Sequence, residues 1–316
     1  MSDPDNPLNY ILLDVFSDHL FGGNQLAVFP NGEGLSVQAM AAIALELKLN
    51  ETVFITGRSI DGYSARIFSP HGELPFAGHP VIGAAYAMAT LNKDNAHARE
   101  FRFDLPAGLV PIKLGGTVAN PKPMLQSPYQ PVPLVLDIKE HQLGQIFGLK
   151  RGDFAQNGWT AEAYSSGIPF LCVPLASKAA VTKAKLATDM WRTQLSKSVA
   201  PHMYIFALEG DDTVHARMFA PAVGIDEDPA TGAAAIALGG YLAKNTNGQS
   251  VEGNFKIFQG VDMGRPSCID LKILSDEQKL EAVWIGGHCT FFGSGTLSPQ
   301  AAITDVSQTK GDTNEH

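Results

Sequence analysis

Cysteine is scarce in this chain, and its three copies, Cys172, Cys268 and Cys289, are odd in number and lack CxxC spacing. Neither a disulfide framework nor a thiolate metal site is expected from them. Long apolar runs are missing as well, so no segment reaches the length of a membrane-spanning helix. The opening MSDPDNPLNY has no basic-then-apolar order of a signal peptide, and a cytoplasmic protein without membrane contact is the expectation. Positive charge is in deficit, with 23 Lys and Arg against 32 Asp and Glu and a net charge of −9. That balance argues against a nucleic-acid partner, which needs clustered cations. An anionic ligand must then be held by local dipoles rather than by a broad positive field. No GxSxG elbow occurs, and the glycines form neither a dinucleotide nor a P-loop fingerprint. Nucleophilic-serine, redox and phosphoryl-transfer chemistry lose support, and no cofactor is expected.

What the chain does have is length and a repeat. Its 316 residues, 45% hydrophobic and 17% charged, suffice for two soluble domains with cores of their own. The stretch Ala65–Ala89, ARIFSPHGELPFAGHPVIGAAYAMA, reads as a strand, a loop bringing Glu73, Gly78 and His79 together, and a Gly/Ala-rich helix from Pro80, a residue suited to the first helical position. So narrow a helix can be enclosed by sheet on all sides, and its first turn presents unpaired N–H groups to a carboxylate or phosphate. Ala216–Ala243, ARMFAPAVGIDEDPATGAAAIALGGYLA, repeats the arrangement. An internal duplication is the reading, with a site where the two units meet. The alternative is two unrelated β-loop-α units.

Further along the chain, Ser36 is a plausible N-cap for a helix to about Leu49 with Val37, Met40, Ala41 and Ala44 on one face. Glu51 follows, a carboxylate between a helix end and the buried strand Val53–Ile55. Pro106–Gly116 reads as turn-rich. The proline-dense Asn120–Leu136 reads as the domain linkage. Domains are expected at residues 1–122 and 123–287, the first completed by a strand around 288–300, with a polar, disordered tail over 301–316. Glu51, Glu73, His79 and Asp228 are the ionisable candidates. A metal site from His71, Glu73 and His79 matches no common ligand spacing, and no metal is expected. Proton transfer remains, needing a carboxylate or imidazole of tuned pKa and an anion hold. On local grounds helix capping is the alternative reading of His79 and Asp228, a structural acid that of Glu51, and Glu73 reads as structural.

The blocks LNETVFI, SPHGELPFAGHPVIGAA, MFAPAVGIDEDPATGAAA and QGVDMGRPS, in that order, resemble the signature of the PhzF phenazine-biosynthesis family, and DVFSDHLFGGNQLAVF is similar as well. The resemblance covers most of the first 300 residues. It implies an α+β fold of the diaminopimelate epimerase type: two pseudo-symmetric domains, each a mixed, barrel-like sheet around a central helix, with the active site in the cleft. It implies Glu51 as general acid/base, His79 and Asp228 as its assistants, and Gly78, Gly232 and Ala233 as the hold for a substrate carboxylate. It further implies a homodimer and a small carboxylate-bearing substrate such as trans-2,3-dihydro-3-hydroxyanthranilate. Ala233 departs from the pattern, since the phenazine enzymes tend to have Ser there. Racemase relatives use two cysteines in the corresponding loops, where this chain has none. A non-catalytic small-acid binder and an amino-acid epimerase or racemase are the alternatives.

Overall fold

The computed structural model describes residues 7–91, 99–245, 252–276 and 279–298; the expected tail over 301–316 lies outside them. The first half runs β1 (Leu8–Val15), β2 (Asn24–Phe29), α1 (Val37–Leu47), β3 (Thr52–Ser59), β4 (Gly62–Ser69), β5 (Gly72–Leu74), α2 (Gly78–Leu91), β6 (Glu100–Leu105), β7 (Gly108–Gly116) and β8 (Pro121–Gln126). The second runs β9 (Val132–Leu134), α3 (Glu140–Phe147), β10 (Glu162–Ser165), β11 (Pro169–Pro174), α4 (Lys178–Lys183), α5 (Thr188–Gln194), β12 (His202–Glu209), β13 (Thr213–Ala220), β14 (Ile225–Asp228), α6 (Gly232–Asn245), β15 (Glu252–Gln259), β16 (Ser267–Asp276) and β17 (Lys279–Gly286). A last strand, β18 (Cys289–Leu297), returns to pair antiparallel with β1.

The duplication is visible in strand register. Val53 pairs Ile67 across β3 and β4, and Tyr204 pairs Met218 across β12 and β13, each partner displaced by 151 residues. Beyond a three-residue insertion in the second loop, α2 and α6 follow 154 residues apart with equal lengths of 14 residues. Each half is a mixed sheet, with β2–β3 and β11–β12 parallel and most other neighbours antiparallel, wrapped around one helix. Small residues make that enclosure feasible. A Cβ on Gly83 would come within 2.3 Å of Leu26 Cδ2, and one on Gly239 within 2.9 Å of Val283 Cγ1. Glycine inside a helix costs about 1 kcal/mol in propensity, which the close sheet–helix packing offsets. Both helices and the inner faces of their sheets share one core, while α1 and the α3–α5 group cover the outer faces with separate apolar clusters.

The Arg-Glu pairs of the two halves also correspond. Arg66 holds Glu73 in a bidentate pair at 2.7 and 2.6 Å, and Arg217 holds Glu227 at 2.8 and 2.7 Å. Each pins the turn that precedes a central helix. Several local expectations are corrected. The Ser36 hydroxyl accepts from Ala39 N as expected of a cap, but α1 ends at Leu47 and buries Ala39, Met40, Ile43 and Ala44, leaving Val37 43% exposed. Residues Gly108–Gly116 form a strand, because Val110, Ile112 and Leu114 alternate inward between flanking glycines. The proline-dense segment is not all linker: β8 lies between β7 and β17, so it joins the two halves by hydrogen bonds. Its prolines lack N–H groups but keep their carbonyls, and Pro123 O accepts from Gly287 N.

Candidate active site

Backbone geometry places Glu51. The Lys48 residue that closes α1 sits in the left-handed region at φ 52°, unusual for a side-chain-bearing residue, and its N–H bonds Ala44 O. The chain therefore turns sharply out of the helix, and just before β3 Asn50 and Glu51 reach the junction of the two halves, where Asn50 bonds Asp228. Glu51 Oε2 comes within 3.3 Å of His79 Nε2, with side chains 18% and 7% exposed. That approach is not aligned as a hydrogen bond, and neither atom has another partner among the described residues.

Helix α2 begins at Gly78, two residues before the expected Pro80, so His79 lies in its first turn. Helix α6 begins at Gly232. A Cβ on Gly78 would fall 3.0 Å from Gly232 Cα, so the two helices meet N-terminus to N-terminus with backbone against backbone. The first intrahelical bonds are Val81 N to Ala77 O and Ala235 N to Thr231 O, which leaves the earlier N–H groups of Gly78, His79, Gly232, Ala233 and Ala234 outside the helical ladders. Two like dipole ends facing each other attract an anion more strongly than one alone.

Asp228, at the end of β14, is the best-furnished carboxylate. Its Oδ1 accepts from Asn24 Nδ2 and Asn50 Nδ2, both at 3.0 Å, and its Oδ2 accepts from the Thr231 hydroxyl. Gln259 Nε2 donates to Asp228 O at 2.8 Å and to Thr231 Oγ1 at 2.9 Å, and the Tyr204 hydroxyl donates to Gln259 Oε1 at 3.0 Å. Donors from both halves thus converge on one group. Asn24, Asn50, Thr231 and Gln259 were not singled out from sequence, although all four stand inside the quoted blocks.

Glu73 does not join the site. The expected loop is instead the short strand β5, where Glu73 is committed to Arg66. With it goes the His71, Glu73, His79 grouping, and among the described residues no three His, Cys, Asp or Glu side chains are placed to hold a metal ion. A groove of about 1140 Å³ bordered by Tyr10, Glu33, Arg58 and Ser294 lies elsewhere in the first half and contains none of the cleft residues.

Burial tunes the cleft. Desolvation, with the Asp228 charge behind it, pushes the Glu51 carboxyl up to about 8. Burial also raises Asp228, to about 6, against the lowering effect of its bonds from Thr231, Asn24 and Asn50. His79 is pushed down to about 3 by desolvation, opposed by a hydrogen bond to the Gln25 backbone. Since Nε2 faces Glu51, that bond belongs to Nδ1, and the neutral ring turns a bare Nε2 toward the carboxyl. Burial thus favours the neutral imidazole of His79 and the protonated form of Glu51, while the hydrogen bonds to Asp228 favour its charged form.

Sequence comparison matches residues 13–295 to the family described as phenazine biosynthesis-like protein, PhzC-PhzF. An uncharacterized isomerase of Mesorhizobium japonicum is 32% identical, the match spanning 92% of this chain and 98% of that one. Trans-2,3-dihydro-3-hydroxyanthranilate isomerase of Pseudomonas chlororaphis is also 32% identical, over 92% and 99% of the respective chains. Among solved structures, a PhzF-family phenazine biosynthesis protein of Bacillus anthracis superposes with a TM-score of 0.80 at 20% identity, covering 92% of this chain and 99% of that one.

Proposed function

Because the chain belongs to the phenazine biosynthesis-like, PhzC-PhzF family, we propose that this isomerase works by proton transfer through Glu51 on a small, carboxylate-bearing, unsaturated substrate of the trans-2,3-dihydro-3-hydroxyanthranilate class. The substrate carboxylate sits at the facing helix N-termini, on backbone N–H groups of Gly78, Gly232 and Ala233. In its ionised form Glu51 removes a proton from a carbon activated by the neighbouring unsaturated system and returns it elsewhere on the same face. His79 and Asp228 hold and polarise the substrate. The observation that carries this reading is a buried carboxyl, Glu51, 3.3 Å from His79 in the first turn of one of two helix N-termini that touch; burial raises its proton affinity. A base whose pKa lies near the working pH is the efficient one, and preoriented N–H groups stabilise the charge that develops on proton removal.

The test is deuterium incorporation followed by NMR in heavy water. Trans-2,3-dihydro-3-hydroxyanthranilate and a panel of small unsaturated amino acids are offered to wild type and to Glu51→Gln. The amide cannot accept the proton, so exchange is expected to fall about 10²–10⁴-fold while binding persists. Near-normal exchange in Glu51→Gln removes Glu51 as the base. Binding of panel compounds without exchange in wild type makes the chain a small-acid binder.

A further inference from the structure

The block QGVDMGRPS is only partly used by the site just described: Gln259 braces Asp228, but Arg265 touches none of the proposed reacting groups. Its side-chain hydrogen bonds all cross between the halves. Arg265 Nε donates to Gly23 O at 3.0 Å, and Nη2 donates to Gly22 O at 2.6 Å and to Asp14 Oδ1 at 2.7 Å. Asp14 is only 2% exposed, and its other oxygen accepts from Phe21 N at 2.9 Å. Phe21 is 65% exposed and held at φ 67°, a left-handed conformation that a bulky residue keeps only when its surroundings impose it. Between these anchors the turn has no slack. Gly23 N donates to Pro266 O at 3.0 Å, and a Cβ on Gly22 would meet the same carbonyl oxygen at 2.6 Å. Asn24 comes next, and it reaches across to Asp228 Oδ1 and Ala230 O, each at 3.0 Å. The other end of the Arg265 loop is tied to the same segment, because the Ser267 hydroxyl donates within 2.8 Å of Pro229 O and 3.1 Å of Gln259 O.

We infer that Arg265 is a positioning residue: from the second half it clamps the Gly22–Gly23 turn of the first, so that Asn24 is delivered to Asp228 across the cleft. This rests on the acid/base reading of the cleft but is open to a measurement that needs no turnover. Lysine keeps the charge of Arg265 but cannot span three acceptors in fixed directions, so geometry and charge separate experimentally.

The experiment titrates the Asp228 carboxyl by ¹³C NMR in the Glu51→Gln background. That background removes the coupled titration of Glu51; Tyr204 and His79 are the other titratable groups near Asp228, and burial pushes the first up and the second down, away from the carboxylate's range and the neutral range respectively. Asp228→Asn assigns the signal. Losing the Asn24 donor weakens the charged form, so Asn24→Ala is expected to raise the titration midpoint by roughly one unit. Arg265→Ala and Arg265→Lys are expected to reproduce most of that rise. Should Arg265→Ala fail to fold, the lysine variant alone decides. An unmoved midpoint in the arginine variants, with the shift present in Asn24→Ala, overturns the inference. So does a lysine variant that matches its parent, since charge rather than position would then be the agent. Absence of exchange activity in wild type would defeat the acid/base reading and leave this titration to decide the role of Arg265 on its own.

Discussion

Gly232→Ala tests whether the meeting of the two helix ends is what makes the site. Propensity favours alanine over glycine in a helix by up to about 1 kcal/mol, so stabilisation is expected if space allows. Space does not allow it. The new Cβ would lie 2.7 Å from Ile285 Cδ1, 3.0 Å from Gly78 Cα and 3.4 Å from Gly78 C. A terminal methyl can rotate away, but Gly78 is backbone at the start of an enclosed helix and cannot. Overpacking of this kind costs about 1–3 kcal/mol, which exceeds the propensity gain and lowers Tm by several degrees at roughly 2–4 °C per kcal/mol. The larger effect falls on chemistry: the helix ends must separate by some tenths of an ångström, and misplacing an anion hold by up to 1 Å costs about 10²-fold in rate. Thermal unfolding and deuterium exchange are read together on Gly232→Ala and on Gly232→Ala/Ile285→Val. The second change removes the Cδ1 collision alone, so it should recover part of the Tm and little of the rate. Wild-type Tm and exchange in the single variant would refute the reasoning, as would full recovery of rate in the double variant.

Further outcomes follow from the same geometry. Glu51 is raised from its ordinary 4.5 to about 8 on folding, so the folded state binds that proton more tightly than the unfolded one. Its contribution to stability is complete below about 4.5 and is lost as pH rises through about 8. The Tm of wild type should therefore fall relative to Glu51→Gln between these values, and a constant gap would contradict the raised pKa. The duplicated ion pairs should differ in weight, because Arg217 and Glu227 are 12% and 15% exposed while Arg66 and Glu73 are 30% and 28%. Glu227→Gln should cost about 3 kcal/mol by chemical denaturation, and Glu73→Gln less than about 1. Finally, His202 stands at the duplicate position of Glu51, immediately before Met203, whose partner Phe219 corresponds to the Thr52 partner Phe68. Its ring packs against Phe170 at 5.8 Å between centroids, and burial lowers its pKa. His202→Gln should leave exchange within about threefold, since one-sided proton transfer assigns it no proton; a loss comparable to Glu51→Gln would mean two bases.

Much of this was legible from side chains because it follows from residue size and charge. The Gly/Ala runs after Gly78 and Gly232 announce helices that only a surrounding sheet can bury, and the matching ARIFSP and ARMFAP runs announce the repeat. What escaped depends on partners distant in sequence. Nothing local marks Asn24 as the donor to a carboxylate 204 residues away, or Arg265 as the clamp on a turn 242 residues away. The strand Gly108–Gly116 was hidden because terminal glycines masked a three-residue alternation. Glu73 reads as structural despite its nearness in sequence to His79, and the extended backbone of β5 aims it at Arg66.

Duplication explains why the cleft exists, and divergence explains what it can do. Both halves contribute the same element, a helix N-terminus opening on glycine, so the proposed anion hold is symmetric about the Gly78–Gly232 contact. The titratable groups are not symmetric. His79 corresponds to Ala233 and Glu51 to His202, so the carboxyl–imidazole pair is built once, in the first half, and the second half answers with Asp228, whose duplicate position is Leu74. Asp228 is tied by three side-chain donors and its charge faces Glu51 rather than a cation. In the proposed mechanism that arrangement raises the proton affinity of one carboxyl on one side of the substrate. Moving a proton along a single face of a substrate needs no more than that, whereas inverting a carbon centre needs an acid and a base on opposite faces.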